Sequence, residues 1–105
     1  MSLDDIVRPG ARLFEAGRFF EAHEAWEAHW LFEEDAARRL LLQGLIQIAA
    51  AFHKLIDKQA PEPAASLFAK GFAKLDACPA RMDDLDVATF RERVRALARE
   101  GGAGR

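Results

Sequence analysis

The chain has 105 residues, which is enough for one domain, because a second core in so short a sequence would bury too little apolar surface. Ala and Leu supply 33 residues, whereas Val, Ile and Thr together supply 8 and Tyr is absent, so the composition favours helices over a β-sheet. The formal net charge of −2 argues against a protein that binds nucleic acid without regard to sequence.

Cysteine content and hydropathy narrow the class further. The single cysteine, Cys78, excludes an internal disulfide framework and a zinc cage built from cysteines. The first residues are acidic and polar, unlike a signal peptide, and no run of about 18 apolar residues predicts a membrane span. We therefore expect a bacterial, cytoplasmic protein with no membrane partner.

Prolines, glycines and acidic residues divide the chain into five predicted helices, at about residues 3–16, 19–31, 36–58, 64–75 and 87–100. Ser2 and Asp35 are placed to cap the first and third helices, Gly17 to end the first, and Pro9 to interrupt it. Residues 76–85 are predicted to form a loop that leads to a cap at Asp86.

The third predicted helix, residues 36–58, is apolar around most of its circumference, which is typical of a central helix. We therefore predict an all-α fold, a compact single-domain bundle of about five helices over residues 1–100. The glycines that follow predict a flexible tail over residues 101–105.

The second predicted helix contains the most unusual pattern in the chain, FFEAHEAWEAHWLF. At roughly 100° per residue, His23 and Glu27 fall within an aromatic stripe and Glu24 falls at its edge. A carboxylate buried among aromatic rings is costly unless it is paired or protonated. The helix therefore carries either a structural polar cluster or a chemical one. The stripe consists of Phe19, Phe20, Trp26 and Trp30.

The short acidic connection after this helix predicts that it packs antiparallel against the third helix. With the turn centred in that connection, His23 lies level with Gln43, and Glu27 lies level with Arg39. Gly44, beside Gln43, would let the two backbones approach closely.

The same register places His53 roughly 15 Å beyond His23 along the helix axis. We therefore expect His53 to face the first helix near Leu13 and not to share a site with His23. Gln47, one turn after Gln43, fits a narrow solvent-facing strip continued by Lys54 as well as it fits an inward position.

One interpretation of the cluster is chemical: His23 and Glu27 bind a divalent metal or act as acid and base, with Glu24 and Gln43 in support. The metal pattern is weak, because the sequence is not H-E-x-x-H and the third helix offers no carboxylate at that level.

The interpretation that we prefer is structural and requires no cofactor. In it, His23 bonds to Glu27 or Gln43, Glu27 forms a salt bridge with Arg39, and the Trp30 indole finds an acceptor.

Two further features carry weaker patterns. Cys78 precedes a proline in a loop and has no activating neighbour in the sequence, so we expect an inert thiol. Arg91, Arg95 and Arg99 repeat every four residues on the last helix. We interpret them as a solvated face, with contact to an acidic partner or nucleic acid as the alternative.

The segments AGRFFEAHEAWEAHW and RRLLLQGLIQIAAAFHK resemble the DUF309 family, a bacterial and archaeal group of small helical domains of unknown function. The resemblance is clear over about residues 13–58. It implies an all-helical single domain and no established activity. The family pattern, E-x-H-E-x-x-E-x-x-W followed by Q-G, is matched at Glu21, His23, Glu24, Glu27, Trp30, Gln43 and Gly44.

The sequence thus predicts a non-enzymatic interaction or oligomerisation module with a structural His/Glu/Trp cluster, which meets a protein partner or a second copy of itself. The alternative is a small metal- or acid/base-dependent hydrolase that uses His23 and Glu27. That alternative requires a pocket that opens onto His23 between the second and third helices.

Overall fold

The computed structural model describes the backbone of residues 1–104 and the side chains of residues 1–100. A π-helical segment, His53–Asp57, directly continues the third helix, and two short strands, β1 (Arg81–Met82) and β2 (Leu85–Asp86), pair antiparallel before the last helix. This is the all-α domain that the sequence predicted. The helices are α1 (Leu3–Glu15), α2 (Phe19–Trp30), α3 (Ala36–Phe52), α4 (Pro61–Ala77) and α5 (Val87–Gly104).

Local side-chain chemistry sets the helix ends, as predicted. The side chains of Ser2 and Asp35 accept backbone hydrogen bonds at the starts of α1 and α3. Gly17, with φ of +79°, follows the end of α1 in the left-handed conformation that glycine tolerates best. Asp86 accepts the Thr89 N–H at 3.0 Å and caps α5.

Several element boundaries differ from the prediction. α1 continues through Pro9 without interruption. α4 begins at Pro61, because proline suits the first position of a helix. The loop expected over residues 76–85 contains the end of α4 and the β-hairpin. α5 extends to Gly104, past the expected end at residue 100, and Arg105 of the predicted tail lies outside the described residues.

α3 is the central helix, as predicted, and packs against both α2 and α4, while α1 packs against α2. α3 and α4 approach closely at Gly44, where an added Cβ would lie 3.0 Å from Leu75 Cδ2 and 3.2 Å from the Gly71 carbonyl oxygen. Gly44 therefore brings α3 close to α4. The expectation that it brings α3 close to α2 was wrong, because Gly44 lies on the α4 side of α3.

The segment Ala36–Asp57 is long and apolar enough to cross a membrane by length and composition, with a hydropathy of 1.3 over its most apolar window. Of that window, 50% is buried inside the fold. The core helix of a domain passes the same test, and the central position of α3 accounts for its apolar composition.

Candidate functional site

α2 buries a different face from the one that the sequence predicted. Its core residues are Phe19, Ala22 and Trp26, each at most 6% exposed, whereas Phe20 is 52% exposed. The buried face is therefore rotated by roughly 60° from the centre of the predicted stripe. The cause is that aromatic rings of α1 and α3, from Phe14 and Phe52, pack against the Phe19 side.

This rotation leaves the His/Glu cluster at the border of the core. The His23 side chain is 23% exposed, that of Glu27 41% and that of Glu24 57%. His23 Nε2 lies 3.7 Å from Glu27 Oε2, and Nδ1 lies 3.8 Å from Glu24 Oε1, distances too long for hydrogen bonds. Among the side chains that the structure describes, no polar or charged residue is buried. The predicted buried network is therefore wrong.

Arg39 has a different partner from the one predicted. Its Nη1 donates hydrogen bonds to the carbonyls of Trp30 and Glu33, both at 2.9 Å, and the guanidinium lies 4.5 Å from the Trp30 ring centroid. No ion pair joins Arg39 to Glu27 within residues 1–100. Arg39 therefore satisfies carbonyls at the end of α2. The acceptor predicted for the Trp30 indole is also missing, since Nε1 is buried without a partner among the described groups.

Glu21, Gln43 and Gln47 are the other polar residues of α2 and α3 that the sequence singled out. Glu21 pairs with Arg18, whose Nε donates to Glu21 Oε1 at 2.7 Å in the first turn of α2. Gln43 and Gln47 are both half-buried on α3. The Gln47 Oε1 atom is buried without a described partner, which favours the inward alternative over the solvent-facing strip.

A pocket of about 250 Å³ opens between α2 and α3, and its lining contains two histidines, His23 and His53. The Phe20 ring contacts both imidazoles, with centroids 6.0 Å from His23 and 5.3 Å from His53. The expectation that His53 faces α1, far from His23, was therefore wrong. Ala50 and Lys54 complete the lining.

The register between α2 and α3 explains why the predicted position of His53 was wrong. Relative to the predicted pairing, α3 is displaced by about two turns, which brings His53 level with Phe20. The first turn of α3 is held instead by the β-hairpin, where Arg38 Nε donates to Asp83 Oδ2 at 3.0 Å. α3 therefore begins beyond the end of α2 and does not fold back evenly from it.

His53 belongs to a second His/carboxylate pair, which sequence reasoning set aside. Its Nδ1 lies 2.8 Å from Asp57 Oδ2, a hydrogen-bonding distance. When Nδ1 donates this hydrogen bond to the carboxylate, the uncharged tautomer of the ring has its lone pair on Nε2. Both residues lie in the π-helical segment. The spacing of four residues was visible in the sequence, but Asp57 was not recognised there as a partner of His53.

Cys78 is part of the core, and two arginines of α5 bind α4. Cys78 is buried, and burial raises the pKa of its thiol, in agreement with the predicted inert side chain. Arg95 makes two hydrogen bonds to Asp76, at 2.7 and 2.9 Å, and Arg91 donates to a carbonyl of α4 at 2.9 Å. Two of the three arginines in the predicted solvated face therefore tie α5 to α4.

Comparison with known proteins assigns the chain to a family. The model described as "Domain of unknown function (DUF309)" matches residues 7–67. The chain belongs to the DUF309 family. It is similar to the crystal structure of a conserved hypothetical protein from Thermus thermophilus, with 32% identity and a TM-score of 0.70 over 91% of this chain and 95% of that one. No curated protein matches the chain.

The DUF309 match confirms the resemblance predicted from the motif, and its range covers the whole pocket. Residues 7–67 include α2, α3 and the π-helical segment, so both pocket histidines belong to the DUF309 domain. The family description and that of the Thermus protein name no activity. Function must therefore be argued from the site itself.

Proposed function

We propose that this protein is an interaction module that binds a basic amphipathic helix of a partner protein along α2. The observation that supports this is an exposed row of residues, Phe20, Glu24, Glu27 and Leu31, which we call the acidic stripe. Their spacing of four, three and four residues places them on one face of the helix. Phe20 and Leu31 are 52% and 60% exposed, and Phe32, next to Leu31, is 85% exposed.

Apolar side chains at this level of exposure, at both ends of a helix face, favour a partner that covers them. A partner helix laid along the acidic stripe would meet an apolar contact at each end and carboxylates between them.

The two carboxylates favour a basic partner. Among the ion pairs of residues 1–100, Glu24 and Glu27 approach only His23, so no Arg or Lys neutralises them. A second copy of this chain that docked the same stripe across a two-fold axis would bring four carboxylates together, which is unfavourable. A helix with Lys or Arg between apolar residues would match both the charges and the apolar ends.

Calorimetric titration with a synthetic amphipathic helix of Leu and Lys tests this proposal. We expect the parent to bind, and the double variant E24Q/E27Q to bind about tenfold more weakly. The matched control E62Q/E92Q removes the same charge from α4 and α5 and should bind like the parent.

If both double variants weaken binding equally, general charge attraction explains the binding, and the proposal is overturned. Dimerisation of the parent at micromolar concentration that is lost in Leu31→Ala would assign the stripe to a second copy, and would also overturn it.

A second candidate function is the small acid/base hydrolase that the sequence offered as its alternative, with His23 and Glu27. What favours it is the pocket between α2 and α3, which opens onto a partly exposed His23 as that function requires. Among the described residues, no group of three or more His, Cys, Asp or Glu side chains is arranged to hold a metal ion. A divalent metal held by His23 and Glu27 would therefore take most of its ligands from water.

Elemental analysis separates the two forms of this second candidate. Protein purified without chelator from metal-supplemented medium is measured by mass spectrometry of its metal content. A near-stoichiometric transition metal that is lost in His23→Ala supports the metal-dependent form. A metal-free parent that still unfolds cooperatively overturns the metal-dependent form, does not test metal-free acid–base chemistry, and is most simply explained by a structural role of the cluster.

A further inference from the structure

We propose that the general base of the pocket is His53, oriented by Asp57, and that the pocket takes a small aryl ester as substrate. The assignment rests on the hydrolase candidate and moves its catalytic residue from α2 to the π-helical segment. Nothing in the sequence motif points to His53, because it lies outside the E-x-H-E-x-x-E-x-x-W pattern.

Geometry distinguishes the two histidines of the pocket. His53 Nδ1 lies 2.8 Å from Asp57 Oδ2, whereas the His23 nitrogens lie 3.7 and 3.8 Å from their nearest carboxylates. A base must present its lone pair in a fixed direction, and the Asp57 bond fixes both the ring and the tautomer of His53. His23 has no such support, since its Nδ1 is buried without a hydrogen-bond partner among the described groups.

The π-helical segment is an independent observation at the same place. It continues α3 from His53, whose carbonyl accepts the Lys58 N–H at 3.1 Å in the wider π-helical turn. Turns of this kind are rare, and those within α-helices occur frequently at functional sites. Here the segment contains the whole His53–Asp57 pair.

The lining of the pocket indicates the class of substrate. Phe20, half exposed and 5.3 Å from His53, offers a ring face against which an aromatic group can stack. Lys54, an exposed residue of the same lining, carries a positive charge that can stabilise negative charge on an ester oxygen bound in the pocket. A volume of about 250 Å³ suits a small molecule.

The reaction requires only water and the ester. His53 Nε2 removes a proton from a water molecule while the water oxygen bonds to the ester carbonyl carbon, and the C=O electron pair moves onto the carbonyl oxygen near Lys54. The tetrahedral anion then collapses, the bond from carbon to the aryl oxygen breaks, and the leaving oxygen takes the proton from the His53 imidazolium. The products are a carboxylic acid and a phenol, and His53 is neutral again.

Initial rates of phenyl acetate hydrolysis test this assignment. Because any accessible imidazole cleaves aryl esters slowly, His29→Gln serves as the matched control, a histidine of α2 that does not line the pocket. We expect saturable hydrolysis by the parent, unchanged in His29→Gln and reduced about a hundredfold in His53→Gln. Asp57→Asn should lower kcat and change its pH profile, and Phe20→Ala should raise KM.

The outcomes separate this assignment from the hydrolase candidate. If hydrolysis is lost in His23→Gln but kept in His53→Gln, the general base is His23. That result overturns the assignment of His53 and keeps the hydrolase candidate. Rates without saturation that are equal in the parent, His53→Gln and His29→Gln overturn both. If His53→Gln does not fold, an Asp57→Asn variant with unchanged kcat and pH profile overturns the assignment on its own.

Discussion

The Trp26 indole nitrogen donates a hydrogen bond of 3.0 Å to the Val7 carbonyl and so holds α2 against α1. Both residues are 1% exposed, and the ring lies directly on Gly10, where an added Cβ would be 2.3 Å from Nε1. The contact determines which face of α2 is buried. It thereby leaves Phe20 and His23 at the mouth of the pocket.

Replacing Trp26 with Phe should lower the free energy of unfolding by about 2–4 kcal/mol, because the Val7 carbonyl loses a donor and the smaller ring leaves a void. Trp30→Phe is the matched control, since the Trp30 indole has no described acceptor, and it should cost less than half as much. Urea denaturation followed by circular dichroism measures both. Equal costs would show that ring volume, and not the hydrogen bond, holds α2 in place.

Gly71→Ala should lower the free energy of unfolding by about 1–3 kcal/mol, although alanine is the better helix former. The added Cβ would lie 2.7 Å from Ile48 Cδ1 and 3.0 Å from the Gly44 carbonyl oxygen, so α3 and α4 would have to separate. Ala73→Gly, an exposed change in the same helix, measures what helix propensity alone contributes, about 1 kcal/mol. A Gly71→Ala variant more stable than the parent would contradict the close packing.

Local features of the fold and the packing of α2 against α3 were predictable from the sequence, whereas the register of these helices and the buried face of α2 were not. The caps at Ser2 and Asp35 depend on residues within one turn, so their chemistry is visible in the sequence. Phe19 and Phe20 are adjacent and equally apolar, and only the positions of α1 and α3 determine which of them is buried. The buried face of α2 was therefore misplaced.

The place of His53 in the pocket was missed for the same reason. Its composition depends on the register between α2 and α3, which the length of the turn does not determine. One contact of the displaced first turn of α3, from Arg38 to Asp83, joins residues 45 positions apart in the chain. No pattern within either helix carries that information. The sequence therefore predicted that His53 lies far from His23, although both line one pocket.

Glu27→Ala should change the free energy of unfolding by less than about 0.5 kcal/mol, because Glu27 is 41% exposed and makes no hydrogen bond in the described structure. Arg39→Ala should cost about 1–3 kcal/mol, since the carbonyls of Trp30 and Glu33 lose their donor and Trp30 loses the stacked guanidinium. Thermal and urea unfolding of both variants checks the contrast. A costly Glu27→Ala change would restore the buried network that the sequence suggested.

The Asp76–Arg95 pair should make stability depend on pH in acid. Hydrogen bonds from Arg95, reinforced by its charge, hold the pKa of Asp76 below its usual range despite some desolvation. Because the pKa of Asp76 is lower in the folded state, the pair stabilises the fold fully above the pKa of Asp76 in the unfolded state, which is about 4. This stabilisation is lost as the pH falls through the pKa of Asp76 in the folded state.

Between about pH 5 and 3, the Tm of the parent should therefore fall more steeply than that of Asp76→Asn, as measured by scanning calorimetry. Arg95→Gln should flatten the curve in the same way, and parallel curves for all three proteins would show that the pair does not link α4 to α5 in solution.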